Sequence, residues 1–394
     1  MSIGDTERET QNRVVDFFRN RDILDYEYLG NLKGEINKNI REDRLRAYLH
    51  LSGYSEKLID GAVTELVRTA DDMTHGLYIA NQQVYSLLKY GAKVRETPES
   101  APQTVYFIDM ENPTNNHFSI AEEVTVVERQ EKRPDLVIYL NGIAVAVMEL
   151  KKKSASVSNG IRQNLTNQKD GFIAPFFTTV QFCMAGNEIE GLRYGTTLTK
   201  EKYYMEWKPD GFHENEEERD QEDIRIMAYC EHIDNLLLRQ LYQMFDKKRF
   251  TDLIENFVIF DKGKKKVCRY NQYYGIKRTQ SRLAQNRGGI IWHTQGSGKT
   301  LTMVWLSKWI LSHSDDARVL IVTDRDELDE QMERTYKGVD EKIVRTKSCD
   351  DLLHRLNSYD NSLLCSLVHK FGRRGGEATE ADYEKHVDAL KKAL

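Results

Sequence analysis

The sequence predicts an α/β protein in two parts, a mixed-sheet domain over residues 1–250 and an incomplete parallel-sheet domain over 251–394. Three observations predict it. Two apolar runs of strand length, Leu136 to Leu140 and Ile143 to Leu150, flank Asn141-Gly142, the strongest short hairpin signal. Helical periodicity fills the chain up to residue 91, and short alternating runs take over from Val105. Further on, an apolar run, a glycine-rich loop and an apolar helix follow one another from Gly288 to Leu311.

Residues 5–19 place Val14, Val15, Phe17 and Phe18 behind an acidic start, which reads as an amphipathic helix whose first-turn acids suit its dipole. Three more helical patterns lie within 35–91, one marked by Ile59, Val63, Leu66 and Val67. VYFID from Val105 and HFSIAEEVTVVE from His117 read as strands leading into the hairpin. IRQNLTNQKDGF from Ile161 reads as a helix, and FFTTVQFCMAGN from Phe176 as a strand pairing near the hairpin. Residues 206–223 are acidic and nearly free of apolar side chains, so they read as a solvated loop. A leucine-rich helix is expected from about Ile224 to Phe245, joining the two domains, and Lys262 to Lys266 with Arg269 form a basic, solvent-facing or phosphate-facing cluster.

Composition narrows the function classes. With 40% hydrophobic and 30% charged residues the chain is an ordinary globular protein, and its net charge of −5 leaves any nucleic-acid contact to local patches. No run approaches the roughly eighteen apolar residues of a membrane span and the N-terminus lacks a signal-peptide core, so a cytoplasmic protein is expected. The five cysteines show no metal-type or disulfide-type spacing.

Chemistry concentrates at one end of the hairpin. Folding back at 141–142 brings Asp135 and Glu149 to the same end, and Lys151, two residues past Glu149, shares its face. Two carboxylates suit a hard cation such as Mg²⁺, and a neighbouring ammonium can orient an attacking water. On spacing alone a plain buried strand pair ending in charged residues is the commoner reading. Pro134-Asp135 followed fourteen residues later by Glu149-Leu150-Lys151, however, resembles the catalytic core of the PD-(D/E)xK endonucleases. The resemblance implies a restriction-endonuclease-like fold and a metal site at Asp135 and Glu149, with Lys151 assisting the water. It also implies a further acid on the first helix, for which Glu7 and Glu9 are the candidates, and a DNA or active-site contact at Gln163. There the pattern continues Gln-xxx-Tyr, but this chain has Asn167 at the tyrosine position. Lys152 and Lys153 are candidate DNA contacts.

The loop His293-Thr294-Gln-Gly296-Ser297-Gly298-Lys299-Thr300 stands between the run ending at Trp292, expected to be a short buried strand, and an apolar helix. Its amides can cradle phosphates at a helix N-terminus, Lys299 can reach the β- and γ-phosphates of ATP, and Thr300 can hold Mg²⁺. His293 replaces the glycine that usually opens such a loop. Arg269-Tyr-Asn-Gln272 upstream resembles the adenine-reading glutamine of superfamily 2 helicases, and VTDRDELDEQ, on a strand and a helix starting near Asp326, resembles their motif Ia, with Arg325 as the DNA-backbone contact. This resemblance implies a RecA-like P-loop domain. No DEAD-type box follows before Leu394, so the chain is expected to be an N-terminal piece that binds ATP without turning it over.

Together, WHTQGSGKT and the Asp135, Glu149, Lys151 set resemble the restriction (R) subunit of type I restriction-modification enzymes. That family implies an ATP-driven translocase that cuts double-stranded DNA, uses Mg²⁺ and ATP, and assembles with methyltransferase (M) and specificity (S) subunits. Two alternatives remain: a RecB-like repair nuclease-helicase, and a non-cleaving ATP-dependent DNA-binding module whose hairpin acids are structural.

Overall fold

A computed structural model of the chain describes residues 7–209, 221–314, 316–339, 341–357 and 363–371. It separates into two compact units, Met1–Gly288 and Gly289–Leu394.

The first unit grows outward from the hairpin. Strands β1 (Glu27–Asn31), β4 (Phe118–Glu122), β7 (Leu136–Leu140), β8 (Ile143–Leu150), β9 (Phe182–Asn187) and β10 (Gly191–Gly195) form one six-stranded sheet in the order β1-β4-β7-β8-β9-β10. The pairs β1–β4 and β8–β9 are parallel, while β4–β7, β7–β8 and β9–β10 are antiparallel. Every residue of β7 and β8 is buried, as expected of near-continuous apolar strands at the centre of a covered sheet. Two small ladders accompany it, β2 (Ala92–Val94) with β3 (Gln103–Val105) and β5 (Val126–Val127) with β6 (Glu131–Lys132).

Helices close over this sheet with their apolar faces. In α1 (Glu7–Arg19) the residues Val14, Val15, Phe17 and Phe18 are buried, and Phe18 meets Tyr26 and Phe245 edge-on at 5.1 Å each. Helices α2 (Glu42–Leu51), α3 (Glu56–Asp71) and α4 (Gly76–Tyr90) are the three patterns read within 35–91. The helix after the hairpin, α5 (Val157–Asn167), begins four residues earlier than Ile161 because Ser156 caps it, accepting from the Ser158 N–H.

Several expectations need correction, among them the strand from Phe176, where Ala174–Thr178 is a 3-10 helix and only Phe182–Asn187 is strand. Only Val105 of VYFID is in a strand. Asp109 turns the chain instead, accepting from the Asn112 N–H at 2.7 Å and the Asn115 amide at 2.8 Å. The leucine-rich helix is two helices, α6 (Gln221–Cys230) and α7 (Leu236–Phe245), because Asn235 caps a new start by accepting from the Leu238 N–H. Lys262 to Lys266 are not one outward-facing cluster: Lys265 is buried and Lys266 pairs with Asp261. Of the acidic segment 206–223, residues 210–220 lie outside the described residues.

Helix α8 (Lys247–Asn256), the hairpin of β11 (Val258–Asp261) and β12 (Lys264–Val267), and α9 (Tyr270–Ala284) pack on the first unit. The Tyr85 hydroxyl donates to the Ile254 carbonyl at 2.9 Å and the Tyr194 hydroxyl to that of Cys268 at 3.0 Å, while the buried Trp207 meets Tyr273 edge-on at 5.4 Å. By compactness, residues 251–288 therefore belong with the first unit.

The second unit holds α10 (Lys299–His313), β13 (Val319–Thr323), α11 (Asp326–Gly338), β14 (Val344–Arg345), α12 (Cys349–Leu356) and β15 (Leu363–Leu367). Its three strands are parallel in the order β13-β15-β14, over Leu352, Leu356 and Leu364. Residues 288–292 form no strand, and Ile290 and Trp292 are 89% and 88% exposed. An apolar run is buried in a sheet only where a neighbour takes up its N–H and C=O groups, and none of the described strands does so. Among the described residues no helix is long and apolar enough to cross a membrane.

Candidate active site

The hairpin turns at Asn141 (φ 52°) and Gly142 (φ 85°), the left-handed pair that a tight two-residue turn demands. The turn is buried. The Asn141 amide donates to the Phe107 carbonyl and to Asn116, its oxygen accepts from the His117 N–H, and a β-carbon on Gly142 would stand 2.7 Å from the Arg41 carbonyl.

Register then decides which side chains meet. Leu140 faces Ile143 and Tyr139 faces Ala144, but Ile138 faces Ala146, so Val145 is an extra residue in a β-bulge. Beyond it Leu136 faces Met148, and continuing by one residue sets Asp135 opposite Glu149. Without the bulge Asp135 faces Met148, and Glu149 turns to the other side of the sheet. A one-residue insertion thus brings the two carboxylates together.

Glu149 is fully buried. No donor faces its Oε2, its Oε1 faces the Asn167 amide at 3.5 Å, and the carboxyl lies within hydrogen-bonding reach of Asp135. Burial first, and then the neighbouring charge of Asp135, push the Glu149 carboxyl well above the usual carboxylate range. Asp135 accepts from the Leu150 N–H at 2.7 Å, and burial raises its pKa despite Lys151 at 3.7 Å. Burial works against the Lys151 ammonium, but Asp135 and the hydrogen bond to Glu7 outweigh it and its pKa is raised. The ammonium donates to Glu7 at 3.0 Å and to the Leu150 carbonyl at 2.8 Å. Two hard carboxylate donors, one with an orphaned buried oxygen, fit a divalent cation that keeps waters for its other positions. Among the described residues no group of three or more histidine, cysteine or acidic side chains is placed to hold a metal ion.

Three residues unmarked by local sequence signals hold this arrangement. Glu122, 4% exposed, accepts from Arg8 at 2.8 Å, Tyr28 at 2.9 Å, Asn31 at 3.2 Å and Gln11 at 3.2 Å. Burial pushes its pKa up, but the hydrogen bonds from Arg8 and Tyr28 prevail and lower it. Gln11 also donates to the Asp135 carbonyl at 3.3 Å, so α1 is fastened beside the pair and delivers Glu7 to Lys151. Gly160 lets α5 approach β8, because a β-carbon there would lie 3.0 Å from that of Ala185 and 3.2 Å from the Glu149 carbonyl.

The other expected residues fall as follows. Gln163 is half-buried on α5, and Asn167, one turn later, is the α5 residue whose amide faces Glu149. Glu9 and Lys152 are exposed, and Lys153 lies 2.9 Å from Glu188. Spacing could have found Asn167, since residues i and i+4 share a helix face. Nothing local marks Gln11 or Glu122.

In the second unit, Gly296 (φ 78°) and Gly298 (φ 88°) bend the loop, and Gly298 caps α10. The Lys299 ammonium donates to the carbonyls of Thr294 at 3.1 Å and His293 at 3.2 Å. Ser297 is buried, and the Thr300 hydroxyl accepts from the Gln331 amide at 3.4 Å. Helix α11 begins at Asp326, with Arg325 exposed and 3.6 Å from Asp324. Gln272 belongs to the first unit, where it is buried and its oxygen accepts from the Arg269 N–H at 2.8 Å.

Known proteins share these sequences. Residues 271–392 match the SWI2/SNF2 ATPase family model. The chain is 28% identical over 312 residues to a putative type I restriction enzyme MjaIXP endonuclease subunit of Methanocaldococcus jannaschii, covering 74% of this chain and 30% of that protein. It is 28% identical over 336 residues to the type I restriction enzyme HindI endonuclease subunit of Haemophilus influenzae, covering 80% and 30%. A putative MjaVIIIP endonuclease subunit of M. jannaschii is 25% identical over 395 residues, covering 91% and 36%. The chain spans about a third of the length of these curated relatives. Residues 5–203, half of the 394, match the model of the type I restriction enzyme R protein N terminus, a span that includes Glu7, the hairpin and Asn167, and the chain belongs to that family.

Proposed function

We propose that residues 1–250 are a Mg²⁺-dependent PD-(D/E)xK endonuclease of restriction-endonuclease-like fold, and 251–394 the start of a RecA-like, ATP-driven DNA translocase. The protein would work in the cytoplasm as the cutting subunit of a type I restriction-modification complex. It would act on double-stranded DNA beside methyltransferase and specificity subunits, and sequence reading would belong to the latter. One observation carries this reading: a fully buried glutamate with an unpartnered oxygen faces an aspartate across a bulged hairpin, with an ammonium 3.7 Å from that aspartate.

In this reading Asp135 and Glu149, as carboxylates, would hold Mg²⁺. The cation supplies a Lewis acid and a water of lowered pKa. Lys151, pinned by Glu7 and the Leu150 carbonyl, orients the attacking water and offsets charge on the phosphate. Gln163, Lys152 and Lys153 face the DNA, Lys153 by leaving Glu188. In the motor, Lys299 exchanges the carbonyls of His293 and Thr294 for the β- and γ-phosphates. The amides of Gly296, Ser297 and Gly298 cradle phosphate oxygens, Thr300 holds the nucleotide's Mg²⁺, Gln272 reads adenine and Arg325 meets the DNA backbone.

The test uses the protein in its assembled complex. Asp135→Ala should abolish Mg²⁺-dependent cleavage and leave ATP turnover intact, whereas Lys299→Ala should abolish ATP turnover. Cutting at the normal rate by Asp135→Ala removes the hairpin from the mechanism, and normal turnover by Lys299→Ala removes the loop.

A further inference from the structure

The bulge at Val145 makes the carboxylate pair, and the contacts that hold it are all non-local. The Ala144 N–H donates to the Asn39 carbonyl at 2.8 Å, and the Ala144 carbonyl accepts from the Thr179 hydroxyl at 2.7 Å. The Val145 carbonyl accepts from the Gln181 N–H at 2.7 Å. The bulge is therefore clamped by the segment 179–181, just ahead of β9. That segment is itself held. The Gln181 amide donates to the Thr179 carbonyl at 2.7 Å, the Asn81 amide donates to the Val180 carbonyl at 2.9 Å, and the Lys265 amine donates to the Val180 carbonyl at 3.1 Å and the Gln181 side-chain oxygen at 2.7 Å.

Lys265 is an unusual residue to find there. It sits on β12 opposite Phe260, with its nitrogen 5.4 Å from that ring, and its own carbonyl accepts from the Thr196 hydroxyl at 3.0 Å. Burial holds its pKa well below the ordinary lysine value. A buried lysine that bonds a carbonyl and an amide oxygen is costly relative to an apolar side chain of the same length, so its presence calls for a reason beyond stability.

We propose that Lys265 is a positioning residue for the metal site: its amine fixes the Val180–Gln181 segment, the segment fixes the bulge, and the bulge sets Glu149 on the face of Asp135. The proposal rests on the nuclease reading above. It adds that the β11–β12 hairpin, which lies between the residues matched to the restriction family, 5–203, and those matched to the ATPase family, 271–392, helps to complete the cutting site. Loss of a direct hydrogen-bond partner of a metal ligand typically weakens metal binding by about 10- to 100-fold, and a support acting through the backbone is expected at the lower end of that range.

The experiment is a calorimetric titration of the whole chain with Mg²⁺ alone, read beside its melting temperature and amide exchange across Ala144–Glu149. Lys265→Met should melt at or above the parent temperature, exchange faster across the bulge and bind Mg²⁺ about tenfold or more weakly. Lys265→Gln, which keeps a neutral donor, should recover part of that affinity. Parental Mg²⁺ affinity in Lys265→Met, or a loss that merely follows a lower folded fraction, overturns the proposal. Should Lys265→Met fail to fold, Lys265→Gln decides by the same readouts: parental affinity and exchange overturn the proposal, and weakened binding with faster exchange in a folded protein upholds it. Asp135→Ala runs in parallel. If it binds Mg²⁺ as the parent does, the metal site itself is misassigned, a failure distinct from that of Lys265 alone.

Discussion

The hairpin and the glycine loop are both tight turns that present chemistry, yet they are built in opposite ways. The hairpin sits inside a six-stranded sheet, its turn is buried, and the backbone on either side of the bulge is tied to neighbouring segments. The glycine loop follows an exposed segment that joins no described strand, and its lysine is satisfied by the loop's own carbonyls. The difference teaches that a site needing two buried acids on one face must be fixed by register, since a slip of one residue separates them. A site that wraps phosphate needs only pliable backbone and a helix N-terminus.

The sharpest way to break this comparison is Glu149→Gln, which keeps the shape and removes the charge. In the assembled complex, cleavage should fall by about a hundred- to a thousandfold, the scale lost when a principal electrostatic group is removed from a catalytic site. The same variant reads the buried proton. The folded-state pKa of Glu149 is raised, so its contribution to stability is complete below the ordinary glutamate value of about 4.3 and is lost as pH rises through the folded pKa. Urea denaturation of the cation-free chain from pH 4 upward should therefore show Glu149→Gln gaining on the parent as pH increases. Saturating Mg²⁺ should restore the parent and not the variant. Parallel stability profiles refute the buried-proton assignment.

How much of this was legible follows from what is local. Asn141-Gly142, both strand spans and the placement of Asp135, Glu149 and Lys151 at one end depend on turn chemistry and apolar runs, and the observed strands coincide with the spans read from sequence. The bulge did not announce itself, because Val145 is an ordinary strand residue and its clamps come from Asn39, Thr179 and Gln181. Lys265 looked like one more solvated lysine since composition cannot reveal that β12 turns that position inward. Asn167 registered only as a departure from a pattern, although its amide faces Glu149. The run before Trp292 misled because apolar character does not provide a pairing partner.

A smaller effect contrasts the two turns directly. Gly142→Ala forces a left-handed conformation on alanine and drives its β-carbon to 2.7 Å from the Arg41 carbonyl. It should cost about 2–5 kcal/mol, strain of about 1–2 plus overpacking of about 1–3. Gly296 has a similar φ, but a β-carbon added there would meet nothing within 4 Å, so Gly296→Ala should cost only the conformational strain of about 1–2 kcal/mol. Its larger effect should be on nucleotide binding, measured by titration with a fluorescent ATP analogue, because the left-handed turn at Gly296 shapes the loop whose amides would cradle phosphate. Equal destabilisation by the two substitutions would mean that the glycine loop is as tightly enclosed as the hairpin.

The smallest effect is expected at Trp292. Large aromatic side chains usually dominate the cores they occupy, and truncating one costs about 3–5 kcal/mol. Trp305, 1% exposed on α10, should behave that way when changed to alanine. Trp292 is 88% exposed on a segment outside any strand or helix, so Trp292→Ser should change stability by no more than about 0.5 kcal/mol in urea denaturation of the whole chain. The tryptophan emission of the parent should contain a water-exposed component that this variant loses. A cost above about 1 kcal/mol, or a blue-shifted Trp292 signal, means that the segment is sheltered in solution, and the contrast between a register-fixed site and an open one then fails at its second term.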